Sequence, residues 1–80
     1  MVVLKNIIKN EDIKTIEADY FPGGGEIFGH LIINYETEDT IKLERSKNDL
    51  SGMFAYHARM RLIKLASLEK IPSESTSIWY

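Results

Sequence analysis

Cysteine is absent from this 80-residue sequence, which excludes disulfides and thiolate metal sites. A chain without cysteine is typical of a reducing compartment, so we expect a cytoplasmic protein. No apolar run approaches the ~20 residues that a membrane-spanning helix needs. The first ten residues also lack a basic region followed by a long apolar run, so we interpret them as a first strand and not as a signal peptide.

An excess of positive charge is also lacking. The 10 basic and 12 acidic residues give a net charge of −2, so nucleic acid is not the expected principal partner. The charge is nevertheless uneven along the chain. Acidic residues concentrate in the middle, at Glu36, Glu38, Asp39 and Glu44, whereas the segment from Leu50 to Leu68 contains three basic residues and no acid.

Metal-ligand spacing is missing as well. His30 and His57 are the only histidines, and there is no pair of histidines at the spacing of a helical zinc site. A metal site would have to recruit Glu26 or Asp19 across the fold, and nothing in their spacing requires this. We therefore predict no metal and no cofactor.

One long segment, Asn48 to Lys70, has helical spacing. Ser46 with Asp49 resembles a capping box, and Asn48 or Asp49 is an alternative N-cap. Gly52 weakens the first turn, so the prediction also allows the helix to begin after Asn48. Pro72 ends the helix, because its ring disfavours helical geometry at the residue before it.

This helix has two apolar faces. The first is rich in alanine and is predicted to lie on a sheet: Phe54, Ala55, Ala58, Leu62, Leu65 and Ala66. The second consists of Met53, Tyr56, Met60 and Ile63, and an apolar patch of this kind is expected to be covered. Either the C-terminal tail or a loop covers it, or it is a subunit or partner interface that also includes Trp79.

A basic stripe lies between the two faces, formed by His57, Arg61 and Lys64 at spacings of four and three. Such a stripe can contact phosphate or an acidic partner. The alternative is a solvated seam whose long side chains pack alongside the buried faces.

Four stretches alternate like strands: Val2 to Ile8, Ile13 to Phe21, Glu26 to Tyr35, and a shorter one in which Ile41 and Leu43 point inward. With the helix and a short last strand, the order is β-β-β-β-α-β. We therefore predict a single α+β domain over residues 1–80, with a mostly antiparallel sheet, a four-strand meander plus a C-terminal strand, packed by one long helix.

The C-terminal strand is predicted at Ser77 to Tyr80, after a polar link from Ser73 to Ser77. It should run antiparallel to the first strand, whose outer edge, Val2 to Ile8, is apolar and otherwise unpaired. Trp79 should then be mostly buried, in its own chain or in a second one.

Gly23-Gly24-Gly25 leads into a strand, whereas a phosphate loop leads into a helix. We interpret it as a wide hairpin that needs positive φ angles. The alternative is a mobile lip beside a small-ligand or enzymatic site that contains His30 and a carboxylate.

Short motifs resemble those of small uncharacterised bacterial proteins of similar length, which have an aromatic-Pro-Gly turn, a Tyr-x-x-His-Ala-like helix segment and a terminal Trp-Tyr. The motifs are Tyr20-Phe21-Pro22 with the glycine turn, Gly29-His30, Tyr56-His57-Ala58 and Ile78-Trp79-Tyr80. The resemblance implies no activity and no catalytic residue.

The sequence therefore favours a non-enzymatic interaction or accessory protein that self-associates as a homodimer or binds a protein partner. Two alternatives stay open. One is a nucleic-acid or phosphate-binding module that uses the basic helix stripe, and the other is a ligand or enzymatic site near His30 and the glycine turn.

Overall fold

A computed structural model describes residues 1–79 as one antiparallel sheet with a helix on one face. The strands are β1 (Val2–Asn10), β2 (Thr15–Pro22), β3 (Gly29–Asn34), β4 (Thr40–Glu44) and β5 (Glu74–Ser77), and the helix is α1 (Met53–Ala66). The sheet order is β4-β3-β2-β1-β5. The predicted α+β architecture, element order and meander are confirmed.

The alternation in the two central strands separates a buried face from an open one. Ile16, Ala18 and Tyr20 of β2 are buried beneath α1, as are Leu31 and Ile33 of β3. The residues between them point to the opposite face, which the helix does not cover. This is the arrangement that period-two sequence patterns predict for an antiparallel sheet with one solvated face.

A β-bulge in β1 changes which residues reach the core. The register with β2 shifts between Lys5 and Ile8, and Asn6 takes a positive φ of 55° within this interval. Ile7 consequently returns to the buried side, while Ile8 is exposed opposite Glu17. The bulge therefore ends the simple alternation of β1 halfway along the strand.

Strand β4 departs from the prediction that both Ile41 and Leu43 point into the core, since all five of its residues are exposed. The register with β3 skips Ile41, which is 56% exposed. Leu43 lies opposite Leu31 on the helix side but is still 42% exposed. The reason is the position of β4 at the sheet edge, beyond the strands that α1 packs on.

The helix is shorter at both ends than the predicted Asn48 to Lys70. Gly52 is the N-cap with a φ of 79°, so the chain enters the helix only at Met53. At the other end the N–H groups of Ser67 and Leu68 donate to the carbonyls of Lys64 and Leu65. These bonds span three residues and tighten the last turn, so the helix ends well before Pro72.

A buried network replaces the predicted capping box. Asp49 lies before the N-cap, and its carboxylate accepts hydrogen bonds from the N–H groups of Phe54 at 3.2 Å and Ala55 at 3.0 Å. The Tyr20 hydroxyl donates to the same carboxylate at 3.0 Å and accepts from the Ser46 N–H at 2.9 Å. Burial raises the pKa of Tyr20, and the Asp49 charge acts in the same direction, so the phenol stays a donor.

The last strand pairs with the predicted edge in the predicted direction, but the predicted residues were wrong. Strand β5 is Glu74–Ser77 and not Ser77 to Tyr80, and it pairs antiparallel with Val2 to Lys5. The Ile7 N–H also donates to the Ser73 carbonyl at 3.1 Å, so pairing begins directly after Pro72. The supposed polar link is therefore the strand itself, and Tyr80 lies outside the described residues.

Replacing Asp49 with alanine should lower the free energy of unfolding by about 2–4 kcal/mol. The substitution leaves the Tyr20 hydroxyl and two helix N–H groups without their buried acceptor. Urea denaturation followed by circular dichroism measures the loss. The matched control is Ser51→Ala, because the Ser51 hydroxyl accepts only a 3.3 Å bond from Met53 at an exposed position. It should cost less than about 0.5 kcal/mol; equal costs for the two variants would refute the role given to Asp49.

Candidate functional site

An open cleft separates β4 from the helix. Helix α1 packs over β1, β2 and β3 and touches β5, whereas β4 extends beyond it. The space between them has a volume of about 270 Å³. It is mostly apolar, and its lining is Leu31, Thr40, Leu43, Arg45, Gly52, Ala55, Tyr56 and Arg59. The apolar core is therefore open to solvent on the side of β4.

The second apolar face of α1 is largely in contact with solvent. Met53, Tyr56 and Met60 are 48%, 54% and 40% exposed. Ile63 is half-buried and packs against the core, and Trp79 is half-buried on another side of the helix. Of the five residues predicted for a partner interface, the structure therefore brings three together on one exposed face. Ser77 and Ile78 border this face, but the chain up to Trp79 leaves about half of each of these three side chains exposed.

The predicted basic stripe lines a second groove. His57, Arg61 and Lys64 face the end of the chain across a space of about 290 Å³, together with Tyr56, Met60, Ser77 and Ile78. Within residues 1–79, no carboxylate forms a salt bridge with Arg61 or Lys64. The stripe is thus one wall of a groove with basic and apolar parts.

Trp79 holds the end of the chain on the helix. Its indole stacks on the His57 ring, with centroids 3.7 Å apart and an angle of 6° between the planes, and meets the Phe54 ring edge-on at 5.7 Å. The side chain is half-buried and not mostly buried as predicted, since it packs at the edge of the core cluster and stacks on the partly exposed His57 ring. His57 is consequently a packing residue as well as part of the groove.

His30 lies on the open face of the sheet between two carboxylates. Its Nε2 is 2.7 Å from Glu17 Oε2, and its Nδ1 is 2.7 Å from Asp19 Oδ1. The three side chains are neighbours because β2 and β3 pair with Asp19 opposite His30. The Asn6 side chain at the β1 bulge donates to the other Asp19 oxygen at 2.9 Å and fixes the carboxylate.

This arrangement favours the imidazolium form of His30. A carboxylate only accepts, and a neutral imidazole has one N–H, so two carboxylate partners are both satisfied when both ring nitrogens donate. Partial burial lowers the pKa of His30, but the hydrogen bonds and charges of Asp19 and Glu17 outweigh it, and the net pKa is raised. With both nitrogens donating, the ring offers no lone pair to a metal or a proton.

The glycine turn forms the hairpin between β2 and β3, and Gly23 and Gly24 have φ angles of 62° and 75°. This agrees with the predicted need for positive φ. The Gly23 N–H donates to the Met1 carbonyl at 2.8 Å, which ties the hairpin to the start of the chain. Neither cleft described above is lined by these glycines or by His30.

Three features were not anticipated from the sequence. The sequence offers Asp19 only as a possible metal ligand together with the histidines, and it does not indicate the contact of Glu17 with His30, although Glu17 shares the open face of β2 with Asp19. The cleft beside Leu43 does not follow from the sequence, because the sequence gives no lateral position for the helix on the sheet. Ile78 was assigned to a strand, yet it lines the basic groove and is 62% exposed.

The comparisons with known proteins do not add a function. No protein-family model matches the chain, and neither the curated proteins nor the solved structures contain a match. In residues 1–79, no helix has the length and apolar character needed to cross a membrane. The same part of the chain contains no group of three or more His, Asp or Glu side chains arranged to hold a metal ion.

The pKa of His30 should be raised in the folded protein, and the free energy of unfolding should therefore depend on pH. The folded pKa exceeds the unfolded value of about 6.5. The contribution of protonated His30 to the free energy of unfolding is therefore fully present below about pH 6.5 and is lost as the pH rises through the folded pKa. Proton NMR of the imidazole gives the pKa, and urea midpoints against pH give the stability.

Glu17→Gln and Asp19→Asn should each lower the pKa of His30 and flatten this pH dependence. Glu36→Gln is the matched control, because Glu36 lies in the turn between β3 and β4 and its side chain does not contact His30. A titration of His30 that is the same in all four proteins would contradict the two-carboxylate arrangement.

Proposed function

We propose that the protein is a non-enzymatic interaction module that self-associates, in the cytoplasm, through β4 and the adjoining cleft. The observation that carries the proposal is the solvent-exposed edge of the sheet at β4, where the core is open. Strand β4 is an outermost strand with all five residues exposed, and an apolar cleft lies directly beside it. An edge of this kind presents backbone donors and acceptors to another strand.

The sequence of β4 is compatible with pairing to a second copy of itself in one register. If two β4 strands pair antiparallel around Leu43, Lys42 of each copy lies opposite Glu44 of the other, and opposite charges across a pair are stabilising. Pairing around Lys42 would oppose two lysines, and pairing around Ile41 would oppose Glu38 and Glu44. Lysine on an edge strand usually discourages pairing. Here the Lys42 Nζ already lies 2.9 Å from the Glu44 carboxylate of its own chain, and this register adds the Glu44 carboxylate of the second copy.

The same register would also cover apolar surface. Leu43 of one copy would lie beside Leu43 of the other on the helix side, where each lines its own cleft. Tyr56, which borders the cleft on the helix, would lose part of its solvent exposure. The resulting ten-stranded sheet has two-fold symmetry, and a symmetric interface of this kind closes at the dimer.

A non-enzymatic role is supported by the state of His30. Both of its ring nitrogens contact carboxylates on the solvated sheet face, away from the two clefts, and this favours a structural charge cluster over an acid–base centre.

Reversing the charge of Lys42 or Glu44 should weaken self-association. In a Lys42→Glu dimer, the new glutamate of each copy faces Glu44 of the other copy, so two pairs of acids oppose each other. In a Glu44→Lys dimer, two pairs of lysines oppose each other. Each variant should raise the dimer Kd roughly tenfold or more. Sedimentation velocity over a concentration series measures the change.

Mixing the two variants should restore the dimer, because every pair of facing charges in the mixed dimer is opposite in sign. Lys70→Glu and Glu69→Lys are the matched controls, since both residues are exposed in the loop after α1. A wild-type protein that sediments as a monomer up to millimolar concentration would refute the proposal. Failure of the mixture to associate would refute the register.

A further inference from the structure

A second surface of the molecule lies on the other side of Tyr56 from the β4 cleft, and Tyr56 lines both. It is the groove between α1 and the segment that follows β5, with a volume of about 290 Å³. This volume is at the lower limit of small-molecule sites, which start near ~300 Å³. The groove suits a few docked side chains of a larger partner better than a complete small ligand.

The lining of this groove has two kinds of group in separate positions. Tyr56, Met60 and Ile78 are large apolar side chains with 54%, 40% and 62% exposure. Arg61 and Lys64 supply positive charge along the neighbouring stripe of the helix, and α1 contains no acidic residue. A partner that satisfies both kinds of group needs apolar side chains on one stripe and carboxylates beside it.

A second copy of the chain does not supply this combination. Two α1 helices packed on each other through Met53, Tyr56 and Met60 would bring basic flanks together, because Arg59 lies on one side of the face and Arg61 and Lys64 on the other. The turn of a second copy at residues 36–39 has no apolar residue beside its acids. Ile13, Ile27 and Phe28 are exposed and do have acidic neighbours, but they lie in turns and loops, so they form no apolar stripe along a helix.

We infer that this groove binds an acidic amphipathic segment of another protein, with its apolar stripe against Tyr56, Met60 and Ile78 and its carboxylates near Arg61 and Lys64. Tyr56 and Met60 line the groove four residues apart on α1, a spacing that matches the packing of one helix on another. Methionine suits such a surface, because its flexible side chain adapts to the partner. The charges would steer the partner and fix its orientation.

The test uses the self-association-deficient Lys42→Glu protein, so that peptide binding and dimerisation are measured separately. The probe is a fluorescein-labelled synthetic helical peptide with leucines at i, i+3, i+4 and i+7 and glutamates at flanking positions. Fluorescence anisotropy should give saturable binding that weakens with salt. The emission of Trp79 should also change, because its ring stacks on His57 at the wall of the groove.

Two substitutions separate the apolar part from the charged part. Met60→Ser and Arg61→Glu should each weaken peptide binding about tenfold, and Arg61→Glu should also reduce the salt dependence. Leu68→Ser and Lys70→Glu are matched controls, because both residues are exposed beyond the helix and outside the groove. These two should bind like the parent protein.

The same experiment includes probes that would overturn the inference. A peptide with the glutamates replaced by lysines, and a scrambled acidic peptide, should not bind. If inorganic phosphate or single-stranded RNA competes fully and Met60→Ser has no effect, the groove is an anion or nucleic-acid site and the inference is wrong. Equal binding by all protein variants would also refute it, while leaving self-association through β4 unaffected.

Discussion

The carboxylate of Asp49 connects the two layers of this protein. It is almost completely buried, and it bonds at the same time to the first turn of α1 and to the hydroxyl of Tyr20 in the middle of the sheet. A negative charge at a helix N-terminus is favoured by the free N–H groups and the helix dipole. Burial makes this acceptor costly to leave unpaired, so the helix start and the tyrosine position are fixed together.

Gly29 makes room for this connection. A methyl group at Gly29 would overlap the Tyr20 ring and the Glu44 carbonyl oxygen, so the ring lies directly on the backbone of β3. The Ser46 hydroxyl also donates to the Ile27 carbonyl at 2.7 Å. This bond joins the loop that leads into α1 to the residues just before β3. The orientation of α1 on the sheet, and hence the open cleft at β4, depends on these few contacts.

The parts of the fold that the sequence predicts are those set by periodicity. Alternation in β2 and β3 correctly separates the buried side chains from the open face, and the alanine-rich stripe correctly identifies the helix side that meets the sheet. Periodicity does not show where an element stops. The helix start depends on a positive φ at Gly52. Asp49, one of the cap residues that the sequence predicts, bonds to the helix from three residues before the N-cap and not as the N-cap itself.

The last strand illustrates a second limit. Residues 74–77, Glu-Ser-Thr-Ser, have no apolar alternation, and they form a strand because β1 offers an unpaired edge. The candidate sites were limited in the same way. The stripe of His57, Arg61 and Lys64 follows from helical spacing, but its role as one wall of a groove depends on where the chain runs after β5. The contact of Glu17 with His30 depends on strand register.

The position of β1 has a consequence for how the chain folds. Strand β1 precedes the other strands in the chain, but it lies between β2 and β5, so its outer edge has no partner until Glu74–Ser77 pairs with it. Contacts between distant parts of a chain are slow to form, and an open apolar strand edge in a partly folded chain promotes aggregation. The meander and helix can therefore form before β5 pairs, whereas closure of the sheet on the outer side of β1 requires Glu74–Ser77.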